Sequence, residues 1–292
     1  LKVLKEENIH VDMVAGASIG ALVAGGWAIG ASPEQMKEFA YEFKRMGGLW
    51  KISDLSIPPT QSILRDTRVM KFLDYMFGDA TFSDTELPLK VISTNLDTLE
   101  EDIISEGLLR DAVRESISIP MLFPPIKRSD SYHVDGGVLN PVPVEPLVDQ
   151  GVSRIIAVNP IPPLEVLRES RHGMPLNRSE GFFGSIWNWI RQQVLPFGTG
   201  NIIDVFMRSL QAMQARLATS SGTEADVVLN PVVSTQEWFE FEEVEAFIEQ
   251  GELTARQNLD EIKTLLREST TKKLNTEDDA INQNGHNQNQ SE

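Results

Sequence analysis

An uncharged segment near the start of the chain constrains the fold more than any other feature. From Met13 to Pro33 there are 21 residues without a charged side chain. The segment opens as a short alternating apolar run, passes through Gly16-Ala17-Ser18-Ile19-Gly20, and continues as a stretch rich in Ala and Gly. This order predicts a strand, a sharp turn and an apolar helix in immediate succession.

The segment also fits two other structures, a transmembrane helix and a purely structural turn. Its 21 residues are long enough to cross a bilayer, and the pairs Gly16/Gly20 and Gly26/Gly30 have the G-x-x-x-G spacing of packed transmembrane helices. A segment made mostly of Ala and Gly inserts poorly into lipid, however, and Ser32-Pro33-Glu34-Gln35 begins a new helix as a capping box does. A purely structural Gly/Ser turn is the second alternative. We favour the strand, turn and helix of a soluble domain.

Short apolar strands and amphipathic helices alternate along the rest of the chain. Strands are predicted at Leu89–Thr94, Asp102–Ser105, Tyr132–Val134, Ile155–Val158 and Val227–Leu229, and helices at Val69–Met76, Gly107–Ser118, Val144–Gln150, Gly181–Thr219 and Val244–Arg267. The unbroken apolar run at Ile155–Val158 is typical of a parallel strand covered on both faces. We therefore expect a three-layer α/β/α fold with a mostly parallel central sheet.

Composition excludes several classes of site. The chain has no cysteine, which excludes disulfides, zinc–thiolate sites and cysteine nucleophiles. Its formal charge of -17 argues against a nucleic-acid partner. The last 24 residues contain only three apolar side chains, so we expect a domain at residues 1–268 and a disordered polar tail at 269–292. Because Leu1 has no capping residue before it, we also expect that the sequence begins partway through a helix.

Ser18 is the candidate nucleophile. A G-x-S-x-G sequence between a strand and a helix predicts a nucleophile elbow, in which the turn lifts the serine hydroxyl out of the sheet. The small residues Gly16 and Gly20 let the backbone bend and pack closely. The helix N-terminus would lie beneath the hydroxyl, where the Ile19 amide could face a developing oxyanion.

A serine nucleophile needs a base, and the residues leave two candidates. Ser18, Asp135 and His172 occur in the order of an α/β-hydrolase triad, although His172 lies in a polar loop. Alternatively, Asp135 acts directly, because Asp135-Gly136-Gly137 follows a strand and a partly desolvated carboxylate can serve as a base. The non-functional alternative is that Asp135 only caps a turn.

Three motifs follow one another along the chain: G-A-S-I-G after a strand, S-I-S-I-P-M-L-F-P-P at Ser116–Pro125, and Y-H-V-D-G-G-V-L-N-P-V-P at Tyr132–Pro143. Taken together, they resemble the patatin-like phospholipase family, its bacterial members and the esterase domain of neuropathy target esterase in particular. The resemblance covers about residues 1–265. It implies a Ser18–Asp135 dyad without histidine and hydrolysis of phospholipid or lysophospholipid esters through an acyl-enzyme, with no metal or organic cofactor.

The sequence departs from the family at one place. Family members carry a glycine-rich oxyanion loop, G-G-x-[RK]-G, after a first strand and before the helix that here begins at Leu1. Both that strand and that loop are missing, so we expect the chain as given to be poorly active. A catalytically inactive scaffold with the same fold is the alternative.

An aromatic segment suggests how a lipid ester would be reached. Phe182, Phe183, Trp187 and Trp189 lie close together, with Arg191 next. Aromatic side chains beside a basic one are typical of a membrane interface, although they could equally cover the core or line an acyl pocket. Peripheral membrane contact through this segment is thus one of two alternatives that the residues leave open. We expect a location in the cytoplasm or at the inner face of the membrane, in a bacterium.

Overall fold

The computed structural model describes residues 1–45, 54–55, 62, 64–169, 202–231 and 244–267. The helices are α1 Lys2–Glu6, α2 Ile19–Ala28, α3 Pro33–Arg45, α4 Thr67–Phe77, α5 Leu109–Ser116, α6 Glu145–Val148, α7 Leu164–Glu169, α8 Ile202–Ser221, α9 Val244–Gln257 and α10 at residues 259–267. The strands are β1 Val14–Ala17, β2 Asp54–Leu55, β3 Leu64–Arg65, β4 Leu89–Asn95, β5 Glu100–Ile104, β6 Ile126–Arg128, β7 Ser131–Asp135, β8 Ile156–Val158 and β9 Val227–Leu229.

The central sheet is mixed. Strand β1 pairs parallel with β4, whereas the pairs β4–β5, β4–β7 and β6–β7 are antiparallel. The expectation of a mostly parallel central sheet is therefore corrected. The reason is the length of the connections, since β4 and β5 are joined by residues 96–99 and β6 and β7 by residues 129–130. Connections this short make hairpins, and a parallel crossover needs a dozen residues or more.

Strands β1 and β7 lie on the same edge of β4. The first half of β4 pairs with β1 up to Ala17–Ile92, and the second half pairs with β7 from Ser93–Asp135 onward. The other edge of β4 is paired with β5 from Val91 to Asn95. Because β1 runs parallel to β4 and β7 runs antiparallel to it, the carboxyl ends of β1 and β7 approach each other at the middle of β4.

One face of this sheet packs against α2, α4 and α5. The main core consists of Val14 from β1, Leu89 and Val91 from β4, Ile104 from β5, and buried side chains from the three helices. The predicted spacing in α4 is confirmed, because Val69, Phe72, Leu73 and Met76 are all buried and Gly78 ends the helix with a φ of +53°. Helix α2 contributes small side chains (Ala21, Ala24 and Ala28), which let it lie close to the sheet.

A second, two-stranded parallel sheet joins β8 and β9. Its two faces are covered by different helices. On one face, Val227 and Leu229 pack with Val3 of α1, Ala255 of α9 and Ile262 of α10. On the other face, Ala157 packs with Ala218 of α8. Helices on both faces of parallel strands confirm the predicted three-layer α/β/α architecture.

The segment from Met13 to Pro33 divides as the favoured interpretation predicts. It forms β1, the ten-residue helix α2 and a capped start of α3, in which the Gln35 amide donates to Ser32 Oγ and the Ser32 amide donates to Gln35 Oε1. The transmembrane interpretation of this segment is therefore wrong. In the described residues, no helix is both long enough and apolar enough to cross a membrane. The aromatic segment with Phe182, Phe183, Trp187 and Trp189, His172, and the tail at 269–292 lie outside the described residues.

Candidate active site

Ser18 stands at the turn between β1 and α2. Its backbone has φ +54° and ψ -126°, a conformation that L-residues rarely adopt and that a nucleophile elbow requires. The turn is tight enough that a Cβ on Gly16 would lie 2.3 Å from the carbonyl oxygen of Gly20. The strand–turn–helix motif thus places the Ser18 side chain at the carboxyl end of β1, as the sequence predicts.

Asp135 ends β7 and meets Ser18 across the middle of β4. Ser18 Oγ donates a hydrogen bond of 2.5 Å to Asp135 Oδ2, and the Gly137 amide donates one of 2.7 Å to Asp135 Oδ1. Gly136 allows this close approach, because a Cβ there would lie 2.2 Å from the Ile92 carbonyl oxygen. The predicted pair of Ser18 and Asp135 is thus brought together by strands whose sequences lie 117 residues apart.

Burial changes the acidity of the Asp135 carboxyl group. The side chain is almost completely inaccessible, and this burial raises its pKa from 3.8 to about 7, against the opposing effect of the hydrogen bonds from Ser18 and Gly137. Near pH 7 both the protonated and the ionised form of the group are therefore populated. A carboxylate with such a pKa can take a proton from a hydroxyl more effectively than an exposed aspartate can.

The first turn of α2 provides free backbone donors beside Ser18. Within the described parts of the chain, the amides of Ile19 and Gly20 have no hydrogen-bond acceptor. The first turn of α2 holds no acidic residue, so its partial positive charge is not neutralised by its own side chains. This arrangement suits the stabilisation of negative charge on an oxygen of a group that is bonded through carbon to Ser18 Oγ.

The histidines of the described residues lie elsewhere. His10 is exposed, and His133 on β7 is buried with its Nδ1 at 3.0 Å from Glu115 Oε1. Burial and the Arg128 charge lower the pKa of His133. In the described parts of the chain, the hydrogen bonds to the Asp135 carboxylate come from Ser18 and Gly137. The alternative triad through His172 stays a prediction, because His172 lies outside the described residues.

A charged cluster behind the dyad was not anticipated from the sequence. Asp102, Glu115 and His133 bring three potential metal-ligating atoms within 4.8 Å of one another. The Arg128 guanidinium pairs with both carboxylates and supplies the positive charge that a cation would otherwise bring. Burial raises the pKa of Glu115. We interpret the cluster as an ion-pair network in which Arg128 offsets part of the negative charge of the two carboxylates.

The contact between Ser116 and the elbow is also not evident from the sequence. Its hydroxyl accepts a hydrogen bond of 2.9 Å from the Ser18 amide, although the two residues are 98 positions apart. The only sequence signal was that Ser116 opens the second of the three motifs. Nothing in residue type or spacing indicates which of the serines there reaches the elbow.

The two glycines of the elbow provide a matched test of its geometry. In Gly16→Ala the new methyl group overlaps backbone atoms of the turn, so we expect a loss of about 3 kcal/mol or more in the free energy of unfolding. In Gly20→Ala nothing lies within 4 Å of the new methyl group, and a helical alanine is favoured over glycine by up to ~1 kcal/mol. Urea unfolding followed by circular dichroism measures both. Equal effects of the two substitutions would contradict the tight turn.

Because the pKa of Asp135 is raised, replacing its carboxyl group with a neutral amide should increase the free energy of unfolding by an amount that depends on pH. Between about pH 4 and pH 7 the folded chain keeps a proton that the unfolded chain has lost, so stability decreases as the pH rises through this range. In Asp135→Asn the group is neutral at every pH and can still bond Ser18 and Gly137. We expect this variant to exceed the wild type by up to ~4 kcal/mol at pH 8, with the difference shrinking towards pH 4.

The control for this prediction is Asp149→Asn, which removes an exposed carboxylate. Its free energy of unfolding should stay within about 0.5 kcal/mol of the wild type at both pH values. Urea titrations at pH 5 and pH 8 provide the comparison. A wild type that is as stable as Asp135→Asn at pH 8 would show that the carboxylate is not destabilised by burial.

The first half of the chain matches the profile of a known protein family. The profile of the Patatin-like phospholipase family matches residues 1–148, which include Ser18 and Asp135. Neuropathy target esterase sws of Drosophila melanogaster is 30% identical over 163 residues, 54% of this chain and 11% of that protein. Lysophospholipase NTE1 of Meyerozyma guilliermondii is 32% identical over 158 residues, 53% of this chain and 11% of that protein.

A bacterial relative is matched over more of the chain. An uncharacterized NTE family protein of Mycobacterium tuberculosis is 25% identical over 270 residues, 90% of this chain and 44% of that protein. The chain thus spans well under two thirds of the length of these relatives. Since the family profile matches just over half of its 292 residues, the chain belongs to the patatin-like phospholipase family.

Proposed function

We propose that the chain is a serine acyl hydrolase that cleaves lipid esters, of the phospholipid or lysophospholipid class, through a Ser18–Asp135 dyad. The observation that carries the proposal is the 2.5 Å hydrogen bond from Ser18 Oγ to a buried carboxylate, formed at the N-terminus of a helix with free amides. A hydroxyl, a base and oxyanion donors are the three components that acyl transfer requires.

In the first half of the reaction, Ser18 Oγ attacks the ester carbonyl carbon while its proton passes to Asp135 Oδ2. The carbonyl oxygen becomes an oxyanion, which the Ile19 amide stabilises. The tetrahedral intermediate then expels the alcohol portion of the ester, and Asp135 returns the proton to that leaving oxygen. The acyl group remains as an ester of Ser18, and Asp135 is again ionised.

In the second half, water takes the place of the alcohol. Asp135 accepts a proton from the water as its oxygen attacks the acyl carbon, and a second tetrahedral intermediate forms at the same donors. Its collapse releases the carboxylic acid and breaks the bond to Ser18 Oγ, which recovers its proton from Asp135. One base therefore serves both steps, alternating between acceptor and donor.

The substrate class rests on the relatives. Two of them are named for esterase and lysophospholipase activity, and the part of each that matches covers about half of this chain. We extend that activity to this chain as a proposal, together with a domain that runs through residues 1–268. Membrane contact through Phe182, Phe183, Trp187 and Trp189 would bring the site to its substrate, and a place in the bacterial cytoplasm or at the inner membrane face is consistent with it.

The first test is covalent labelling of Ser18. A fluorophosphonate probe reacts with serines that a base has activated, so we expect labelling of the wild type at Ser18, located by mass spectrometry. Ser18→Ala should remove the label, and Asp135→Asn should slow labelling by about 100-fold or more because the base is lost. The exposed serine variant Ser83→Ala is the matched control and should label at the wild-type rate.

The outcomes separate the alternatives. A His172→Ala variant that labels normally supports the dyad, whereas loss of labelling in it would favour the Ser–Asp–His triad. A folded wild type that takes no label would contradict an activated Ser18 in this chain. Hydrolysis of lysophosphatidylcholine by the wild type and its loss in Ser18→Ala would then test the substrate class.

The pKa of Asp135 predicts the pH dependence of the reaction. Only the ionised carboxylate can accept the serine proton, and its pKa in the free enzyme is about 7. We therefore expect kcat/KM for a soluble ester to rise about tenfold per pH unit below pH 7 and to level off above it. Initial rates between pH 5 and pH 9 measure the profile. A constant kcat/KM from pH 5 to pH 7 would contradict Asp135 as the base.

A further inference from the structure

One short segment contacts both halves of the dyad. It consists of Ser116, Ile117 and Ser118, at the end of α5. Ser116 Oγ accepts from the Ser18 amide at 2.9 Å, and the Ser118 carbonyl oxygen accepts from the Asp135 amide at 3.0 Å. The side chains of Ser116 and Ser118 are both fully buried. The distance between the backbones of Ser18 and Asp135 thus depends in part on three consecutive residues that belong to neither β1 nor β7.

The hydroxyl of Ser116 has a fixed orientation. It donates its proton to the Ile92 carbonyl oxygen of β4 at 2.5 Å. The hydroxyl oxygen is therefore left to accept the hydrogen bond from the Ser18 amide. Ala17 and Ile92 form the last pair of the ladder between β1 and β4. The bridge from Ser18 through Ser116 to Ile92 therefore continues the connection between the two strands by one residue, past the point where the strand ladder ends.

This bridge lies where Ser18 is strained. A positive φ at a non-glycine residue is unfavourable and persists only when the surroundings impose it. The amide of Ser18 is the group whose direction changes when that φ relaxes. Holding the amide therefore holds the elbow and, with it, the direction of the Ser18 side chain towards Asp135.

The segment itself is anchored from the opposite side. Arg114 is 3% exposed and donates to Ser118 Oγ at 2.6 Å and to the Pro124 carbonyl oxygen. Its guanidinium also pairs with Asp66 at 2.9 Å. The anchor leaves Ser116 little freedom to move away from the elbow.

We propose that Ser116 is a positioning residue, whose hydroxyl fixes the strained backbone of Ser18 so that the nucleophile stays aligned with Asp135. The inference rests on the proposed function, because alignment matters only if Ser18 attacks an ester. Ser116 lies behind the elbow and bonds Ser18 and Ile92, so its loss should lower kcat and leave KM unchanged.

The test compares Ser116→Ala with an equally buried serine. Ser93 is on β4 beside Ile92, is also 0% exposed, and bonds Glu115 by its hydroxyl. We expect Ser116→Ala to lower kcat about 10- to 100-fold with KM within threefold. Ser93→Ala should keep kcat within threefold of the wild type. Steady-state hydrolysis of p-nitrophenyl butyrate gives kcat and KM, and urea unfolding at the same pH gives the stability of each variant.

A second variant keeps the test decisive if Ser116→Ala does not fold. Ser116→Cys nearly preserves the volume of the side chain but accepts a hydrogen bond weakly, so kcat should fall between the wild-type and Ser116→Ala values, or about 3- to 30-fold below the wild type. A folded Ser116 variant with the wild-type kcat would overturn the inference. So would an equal loss of kcat in Ser93→Ala.

Failure of the proposed function gives a different result. In that case the wild type hydrolyses the ester no faster than Ser18→Ala does, whatever stands at position 116. A wild type that is faster than Ser18→Ala, combined with an unaffected Ser116→Ala, overturns the positioning role alone.

Discussion

The convergence of two strands on one edge of β4 is the constraint on which the site depends. Strand β1 brings Ser18 to the middle of that edge from one direction, and β7 brings Asp135 to it from the other. A sheet of uniformly parallel strands would place both carboxyl ends at the same rim, side by side. The antiparallel β7 instead lets two strand ends face each other within the sheet. The 2.5 Å contact between their side chains follows from this topology.

The features on which the proposed mechanism depends also reduce the stability of the fold. Ser18 holds a strained backbone, and Asp135 is deprived of water by the strands and turns around it. These features are tolerated because the surrounding packing is extensive. The main core of α2, α4, α5 and the central sheet includes residues on both sides of the elbow, Val14 of β1 and Ala21 of α2. The two residues that react in the proposed mechanism thus lower the free energy of unfolding, and packing elsewhere in the domain offsets this loss.

Sequence patterns predicted the local elements well because their causes are local. The spacing of Val69, Phe72, Leu73 and Met76 determines which face of α4 is buried, and the reciprocal bonds of Ser32 and Gln35 begin α3. The elbow followed from the strand, the small residues and the helix around Ser18. The burial of Asp135 could also be expected, because two glycines after a carboxylate at a strand end permit a tight turn and the close approach of another loop.

The direction of strand pairing could not be predicted in the same way. An apolar strand has the same composition whether its neighbour runs parallel or antiparallel, and the two-residue connection between β6 and β7 joins a strand that the patterns did not reveal. The contacts of Ser116, Glu115 and His133 depend on tertiary distances between side chains far apart in the chain. Residue type alone does not distinguish a serine that holds an elbow from one that caps a turn.

Burial explains how an aspartate could serve without histidine in the proposed mechanism. A histidine is the usual base for a serine because its ordinary pKa lies near neutrality. An exposed aspartate is ionised far below neutral pH and is correspondingly weak as a proton acceptor. Enclosure in the protein brings the pKa of Asp135 to about 7, which is the range of histidine. The hydrogen bonds from Ser18 and Gly137 keep the ionised form accessible despite that enclosure. The base strength of the dyad would then be a property of the fold, because it depends on how completely β4, β7 and the turn at Gly136 exclude water from one carboxyl group.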